Sequence, residues 1–420
     1  MQIEKPKLFL ETRDFIIFVA IFVFIIALRL AWSYQSYSSF ISKPFYYLDV
    51  TVLNAYQKSR DGKEYTVLKL SSDSGLTFFT SSYRKDNLKN KRLRVQIYPS
   101  DNISFVDYLG YFYVKSRIKD VQELETTTKD ILLSKVSSQH QNSSISSFYN
   151  AIFFATALQK ELRDKVSALG VSHLVALSGF HLGILWGLIY GVLLLGYRPL
   201  QKRYFPYRYA LFDIGIVAIL LLGSYVWFVD FPPSLVRSFA MVLVGWVVIL
   251  LGIELLSFTF LTTIALVLIS LFPSLLVSLG FQLSIMGVFY IFLLLQYSID
   301  VNKWLISILF IPFGIFILML PVVHGIFGLT TPYQLLSPVL SLLFVPFYPL
   351  AMLLHISGMG DVLDSVLLWV FNLPNSSTEN ILPLWAVAIY VSLSILSIWS
   401  RRLFFLLIVS ALGYGAFLFY

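Results

Sequence analysis

The sequence contains no cysteine, which excludes disulfides, thiolate metal ligands and a cysteine nucleophile. Charge is scarce as well, with Asp, Glu, Lys and Arg making up 13% of 420 residues. That is too little to cover a water-soluble protein of this length. There is no Gly-x-x-x-x-Gly-Lys-Ser/Thr motif, so the chain carries no recognisable means of hydrolysing ATP. Five histidines remain for chemistry. Neither a metal nor another cofactor is expected.

Apolar residues are abundant, at 57% with a mean hydropathy of +0.77. A hydrocarbon layer about 30 Å thick requires runs of about 20 apolar residues from a helix rising about 1.5 Å per residue. Such runs predict spans at 15–32, 173–196, 208–229, 233–253, 256–272, 274–297, 304–323, 334–356, 382–399 and 402–419. The fold class is therefore a polytopic α-helical membrane protein of about ten transmembrane helices. The first run follows Lys5, Lys7 and Arg13 and exceeds a typical signal core, so it is read as a retained span with a cytoplasmic head, residues 1–33.

Between Phe45 and Lys115 the pattern changes to short alternating runs rich in Tyr, Phe, Val and Thr. Asp61-Gly62 suits a tight hairpin turn between two of them. About five strands, the last near Tyr111 to Val114, fit a small barrel of the oligonucleotide-binding type over residues 43–120, an OB-like domain outside the membrane. From Lys43 to Asp120 there are 14 Lys or Arg against 8 Asp or Glu, most of the net +8. This field favours an anionic partner, nucleic acid or membrane lipid. Residues 121–168 read as a polar linker followed by an amphipathic helix from Ile145 to Ala168, suited to a membrane surface or a docking partner.

Positive charge at Arg198, Lys202, Arg203 and Arg208 places the loop after the second span in the cytoplasm. Strict alternation from there puts Arg401 and Arg402 outside, against the same rule. One segment is therefore expected not to cross fully, at Pro232-Pro233, Pro273, Pro338 or Asp364 to Asn372. Irregular backbone at membrane depth is tolerated where protein or a water-filled path surrounds it.

Three polar clusters lie in the apolar region, residues 169–420. The first is GVSHLVALSGFHLGIL, with His173, Ser178, Gly179 and His181. If helical throughout, His173, Leu177 and His181 share one face, and the two histidines stand about 12 Å apart, too far to chelate one metal. Small Ser178 and Gly179 suit close helix packing, while Ser178 with His181 offers a hydrolytic pair without an acidic partner nearby. The second is FPPSLVRSFAM, where Arg237 can snorkel to the interface or bind phosphate. The third sets Gln282 and Ser284 beside Gly280, where a glutamine bridges helices or meets a substrate.

Together HLVALSGFH, Pro233-Ser234-Leu235-Val236-Arg237-Ser238, and Pro273 followed by Gly280-Phe281-Gln282-Leu283-Ser284 resemble the ComEC family of DNA-uptake channel proteins. Residues 169–420 then correspond to the competence domain. Phe180 replaces a usual leucine, and Ser341 stands where an asparagine is expected. No His-x-His-x-Asp-His cluster occurs, so the resemblance does not imply the nuclease of longer relatives. It implies a non-enzymatic inner-membrane channel for single-stranded DNA, with His173, Ser178, Gly179, His181, Arg237, Gln282 and Ser284 lining the path or touching DNA. Implied partners are a cytoplasmic DNA-translocating ATPase, an outer DNA receptor and further copies of the chain. The intramembrane Ser, His, Gln and Arg taken alone also fit a small-molecule transporter or membrane-embedded enzyme.

Overall fold

The computed structural model describes residues 8–9, 11–60, 63–73, 75–84, 86, 88, 91–123, 126–252, 257–298, 301–373 and 377–420. Lys5, Lys7 and the Asp61-Gly62 turn lie outside the described residues. The chain divides into two compact units, Glu11–Thr127 with Thr263–Gln282, and Thr128–Thr262 with Leu283–Tyr420.

The first unit opens with helix α1 (Thr12–Ile41), 30 residues long. Arg29, a charge inside its apolar run, donates from Nε to the Ser270 carbonyl at 3.3 Å. Six strands follow: β1 (Tyr46–Arg60), β2 (Lys63–Ser72), β3 (Thr77–Ser82), β4 (Lys91–Tyr98), β5 (Phe112–Tyr113) and β6 (Lys115–Glu123). Helix α2 (Phe105–Leu109) lies between β4 and β5, capped reciprocally by Ser104 and Asp107. The sheet order is β5-β3-β2-β1-β4-β6. All pairs are antiparallel except β3 with β5.

Alternation dictates the faces. In β3, Phe78, Thr80 and Ser82 point inward and the residues between them are half-buried. Val50, Leu68, Leu70, Phe78, Leu93 and Val95 form a fully buried interior. Each such apolar side chain stabilises by about 1.5–3 kcal/mol. Phe40, near the end of α1, enters the same core, stacked on Tyr46 and edge-on to Phe112. Tyr37 reinforces the junction with a 2.7 Å bond to the Ile103 carbonyl.

The last strand extends further than the alternation pattern indicates. Beyond the last strand expected near Tyr111 to Val114, residues 115–123, of which 121–123 are read from sequence as linker, form β6 along β4. A bulge opposite Arg94 and Val95 inserts Lys119 without a partner and breaks the period of two.

The second unit is helical. It contains α3 (Thr128–Ser137), α4 (Ser143–Phe154), α5 (Lys160–Ala168), the single turn α6 (Ser172–Val175), α7 (Gly179–Tyr204), α8 (Ala210–Phe228) and α9 (Pro233–Leu250). Helices α10 (Phe258–Leu271) and α11 (Leu279–Tyr297) are each shared between the two units. Then come α12 (Lys303–Leu305), running through a π turn into α13 (Ile311–His324), and α14 (Ser337–Ile356) with α15 (Asp364–Phe371). A two-residue pair, β7 (Leu329–Thr330) with β8 (Thr378–Glu379), precedes α16 (Leu384–Leu396) and α17 (Arg401–Phe419). One core joins α4 and α5 to α7, α8 and α14, and another joins α11, α13, α16 and α17.

Among the described residues, seven helical stretches are long and apolar enough to cross a membrane: Thr12–Ile41, Gly179–Tyr204, Ala210–Phe228, Leu279–Tyr297, Lys303–His324, Pro332–Ile356 and Arg401–Phe419. Ser234–Leu250, Phe258–Leu271 and Leu384–Leu396 are apolar but shorter. The first two of these adjoin Pro232-Pro233 and Pro273, two of the places where an incomplete crossing is expected. The stretch containing Pro338 has full length.

Two expected helices are broken. Ile145 to Ala168 is not one amphipathic helix, because Ala155 adopts a left-handed conformation with φ 59° and separates α4 from α5. His173 to His181 is not continuous either. Ala176 is extended, and Ser178 is the extended N-cap of α7.

Candidate functional site

The break at residues 176–178 organises the first two polar clusters. With α6 only one turn long, His173 and His181 belong to different elements and share no helix face. Ser178 donates its backbone N–H to Nδ1 of His181 at 3.3 Å. That bond puts the neutral imidazole's proton on Nε2. The ring is fully buried and lies edge-on to Phe344 and Tyr348, with centroids 5.1 and 5.0 Å away. His181 is therefore an interior residue of this unit and does not face an open path.

His173 differs. Its imidazole is exposed, and Nε2 lies 3.2 Å from the Ser341 hydroxyl on α14. Ser341 donates its own proton to the Ser337 carbonyl at 2.8 Å, so His173 is the donor of the pair. Ser337 donates in turn to the Gly170 carbonyl at 3.0 Å. The sequence position where an asparagine was expected thus holds a histidine in place.

The second cluster meets the first through α9. Ser234 donates to the Leu177 carbonyl at 2.7 Å, satisfying backbone freed by the break, and Ser238 donates to the Ser234 carbonyl. A Cβ on Gly179 would lie 3.0 Å from Ser238 Oγ, so glycine is what allows α7 to start against α9. Arg237 lies half-buried in the turn between these serines. From the other side, Thr331 donates to the Ala168 carbonyl at 2.5 Å, and Gly170, at φ +68°, packs on Gln334.

The third cluster does not join them. Gln282 belongs to the unit that carries the β sheet, where its Nε2 donates to the Leu276 carbonyl at 2.7 Å and closes a local turn. It is a cap and not an interhelical bridge. Ser284 is exposed on α11.

A separate constellation had no sequence signal. His140 Nδ1 lies 2.9 Å from the Asp364 carboxylate, and its Nε2 lies 2.9 Å from Nε2 of His355. His355 Nδ1 donates to the Ala351 carbonyl at 2.7 Å. Tyr149 stacks on His140 at 4.7 Å. Burial, and after it the Asp364 carboxylate, holds the Tyr149 phenol well above its ordinary range, so it remains a neutral hydroxyl. These residues stand 215 and 224 positions apart in the chain, and no local spacing could have announced them. Among the described residues no group of His, Asp and Glu has the arrangement of a metal site.

The model of the competence protein family matches residues 155–419. The chain belongs to the competence protein family. The match runs from the end of α4 through α17 and so includes the broken segment, α9 and α14. No curated protein and no solved structure matches it. With seven helices among the described residues long and apolar enough to cross a bilayer, this competence family member is a membrane protein.

Proposed function

We propose that the chain is an inner-membrane channel that admits single-stranded DNA during natural transformation, without catalysing a reaction itself. The observation that carries this reading is the broken entry to α7. Its irregular backbone is held by serines of α9 and by α14, while Ser172 and His173 stay exposed. Non-helical backbone at membrane depth belongs beside a water-filled path. Among the described residues the polar side chains at the break are hydroxyl and imidazole, and α9, which docks there through Ser234, carries Arg237 beside Ser238, which suits a polyanion. A hydrolytic Ser178–His181 pair finds no support, since Nδ1 already accepts the Ser178 N–H and the hydroxyl lies 3.5 Å away.

The strand order supports an oligonucleotide-binding barrel outside the membrane. β1 pairs with β2 and β4, β2 with β3, and β3 runs parallel to β5, which continues into β6 beside β4. Lys69 lies 4.2 Å from the centre of the Tyr111 ring, the kind of cation and aromatic pairing that single-strand binding uses. Energy would come from a cytoplasmic ATPase, an outer receptor would deliver DNA, and further copies would complete the assembly.

Deleting the gene should abolish transformation while labelled DNA still reaches the outside of the inner membrane. Normal transformation by the deletion strain would refute the channel. Reconstitution of the purified chain in vesicles should further permit single-strand passage; passage of small solutes alone would favour a transporter.

A further inference from the structure

The ladder between β3 and β5 ends early. Phe79 is its last paired residue on β3, and Val114 adds one bond to the Phe79 carbonyl at 2.9 Å. Beyond that point the Thr80 and Ser116 hydroxyls share a 2.8 Å hydrogen bond. From there β3 is paired only with β2 and β6 only with β4. The barrel therefore has a seam, and the seam opens into a cleft of about 450 Å³.

The lining of this cleft is one-sided in charge. Arg84, Arg117 and Lys119 contribute to it together with the hydroxyls of Ser81, Ser82 and Ser116, and among the described residues no carboxylate does. None of the three cations forms an ion pair among the described residues. On neighbouring β4 the situation is opposite, with Lys91 on Glu123 at 3.1 Å and Arg92 on Asp73 at 2.5 Å. Tyr83, at the rim, is 72% exposed and pairs with Tyr65 at 6.1 Å. Lys119 reaches the lining because it is the bulged residue of β6.

We propose that this seam is a phosphodiester-binding cleft that seats the backbone of a single nucleic-acid strand, with Tyr83 presenting its ring to a base. The proposal rests on the channel reading and deepens it by naming a first contact for the strand. Three cations without ion pairs among the described residues, beside serine hydroxyls and unpaired strand edges, offer the positive charge and hydrogen-bond donors that phosphates take. Base stacking on exposed tyrosine is insensitive to sequence, as uptake of arbitrary DNA requires. A lipid headgroup shares the phosphodiester chemistry but has no use for the Tyr65–Tyr83 pair. Phe112, against which Phe40 of α1 packs, pairs with Phe78 on β3 just before the seam opens.

The test is fluorescence anisotropy of labelled (dT)12 with the full chain in detergent, titrated across salt concentrations. Changing Arg84, Arg117 and Lys119 together to Ala should weaken binding at least tenfold and flatten the log–log salt slope by about 2, at about 0.7 per lost phosphate contact. Tyr83→Ala should weaken binding about tenfold by removing a stacking face while leaving the slope unchanged. The control double variant Lys43→Gln, Lys58→Gln should retain most of the affinity. An unaltered slope and affinity in the triple variant, or no binding of (dT)12 by the unaltered chain, overturns the cleft. Loss of binding to phosphatidylglycerol vesicles with (dT)12 binding intact overturns it in favour of lipid. If the deletion strain fails to transform while the triple variant binds normally, only the cleft falls and the channel stands.

Discussion

The Nε2 atoms of His140 and His355 lie 2.9 Å apart. Two neutral acceptor nitrogens cannot sit at that distance, so one of them carries a proton. His355 Nδ1 already donates to Ala351, which makes His355 Nε2 the acceptor in the neutral ring. His140 then donates from Nε2 while its Nδ1 faces Asp364. A single proton shared between His140 and Asp364 satisfies every contact. The cluster ties the connection from α3 to α4 to the end of α14 and the start of α15, helped by Gln139, which bonds the His355 carbonyl and the Gly360 N–H.

Asp364→Asn should be tolerated, because an amide N–H can donate to His140 Nδ1 and leave Nε2 to donate to His355. Asp364→Leu leaves a buried nitrogen without a partner, at about 1–3 kcal/mol. Thermal midpoints of the purified variants in detergent check this. Equal midpoints for Leu and Asn would remove the shared proton from the account.

The exposed imidazole on the broken segment predicts a transport phenotype. His173→Ala should lower transformation at least tenfold with normal protein levels in the membrane. Ser341→Ala should lower it less, and Ser341→Asn should be close to unaltered, because an amide oxygen can accept from His173. Transformation frequency set against immunoblotted membrane fractions distinguishes these outcomes; unaltered transformation by His173→Ala would make that residue a packing element.

Close approach of α7 and α9 at Gly179 predicts a paired effect. Gly179→Ala crowds Ser238 Oγ at 3.0 Å and should destabilise by about 1–3 kcal/mol. Adding Ser238→Ala removes that oxygen and leaves the nearest side-chain atom 3.4 Å away, so most of the stability should return. A double-mutant cycle of thermal midpoints measures the coupling, and additive losses would deny the contact.

In the β domain, Phe78 is fully buried and stacked on Phe112 at 5.7 Å. Phe78→Ala should cost about 3–5 kcal/mol. Protease sensitivity should then rise within residues 46–123 before it rises in the helical unit. Simultaneous loss of both would show that the two units unfold as one.

The amino-acid sequence by itself determined the solvent of each segment. Apolar runs long enough for hydrocarbon, alternation in β1 to β4 and basic clusters are local patterns, and local patterns follow directly from helix rise and strand pleat. Gly179 was visible as a small residue fit for close packing. What the tertiary structure alone decided is continuity and partnership. Ala155 breaks a helix with no glycine or proline to mark it, and β6 hides behind a bulge that removes its alternation. At the break, His181 Nδ1 accepts the Ser178 N–H and Ser234 donates to the Leu177 carbonyl, backbone groups that a continuous helix would have satisfied itself, while Ser341 accepts from the exposed His173. The Asp364–His140–His355 chain and the basic seam between β3 and β6 join residues remote in sequence, and such contacts exist only after the chain has closed on itself.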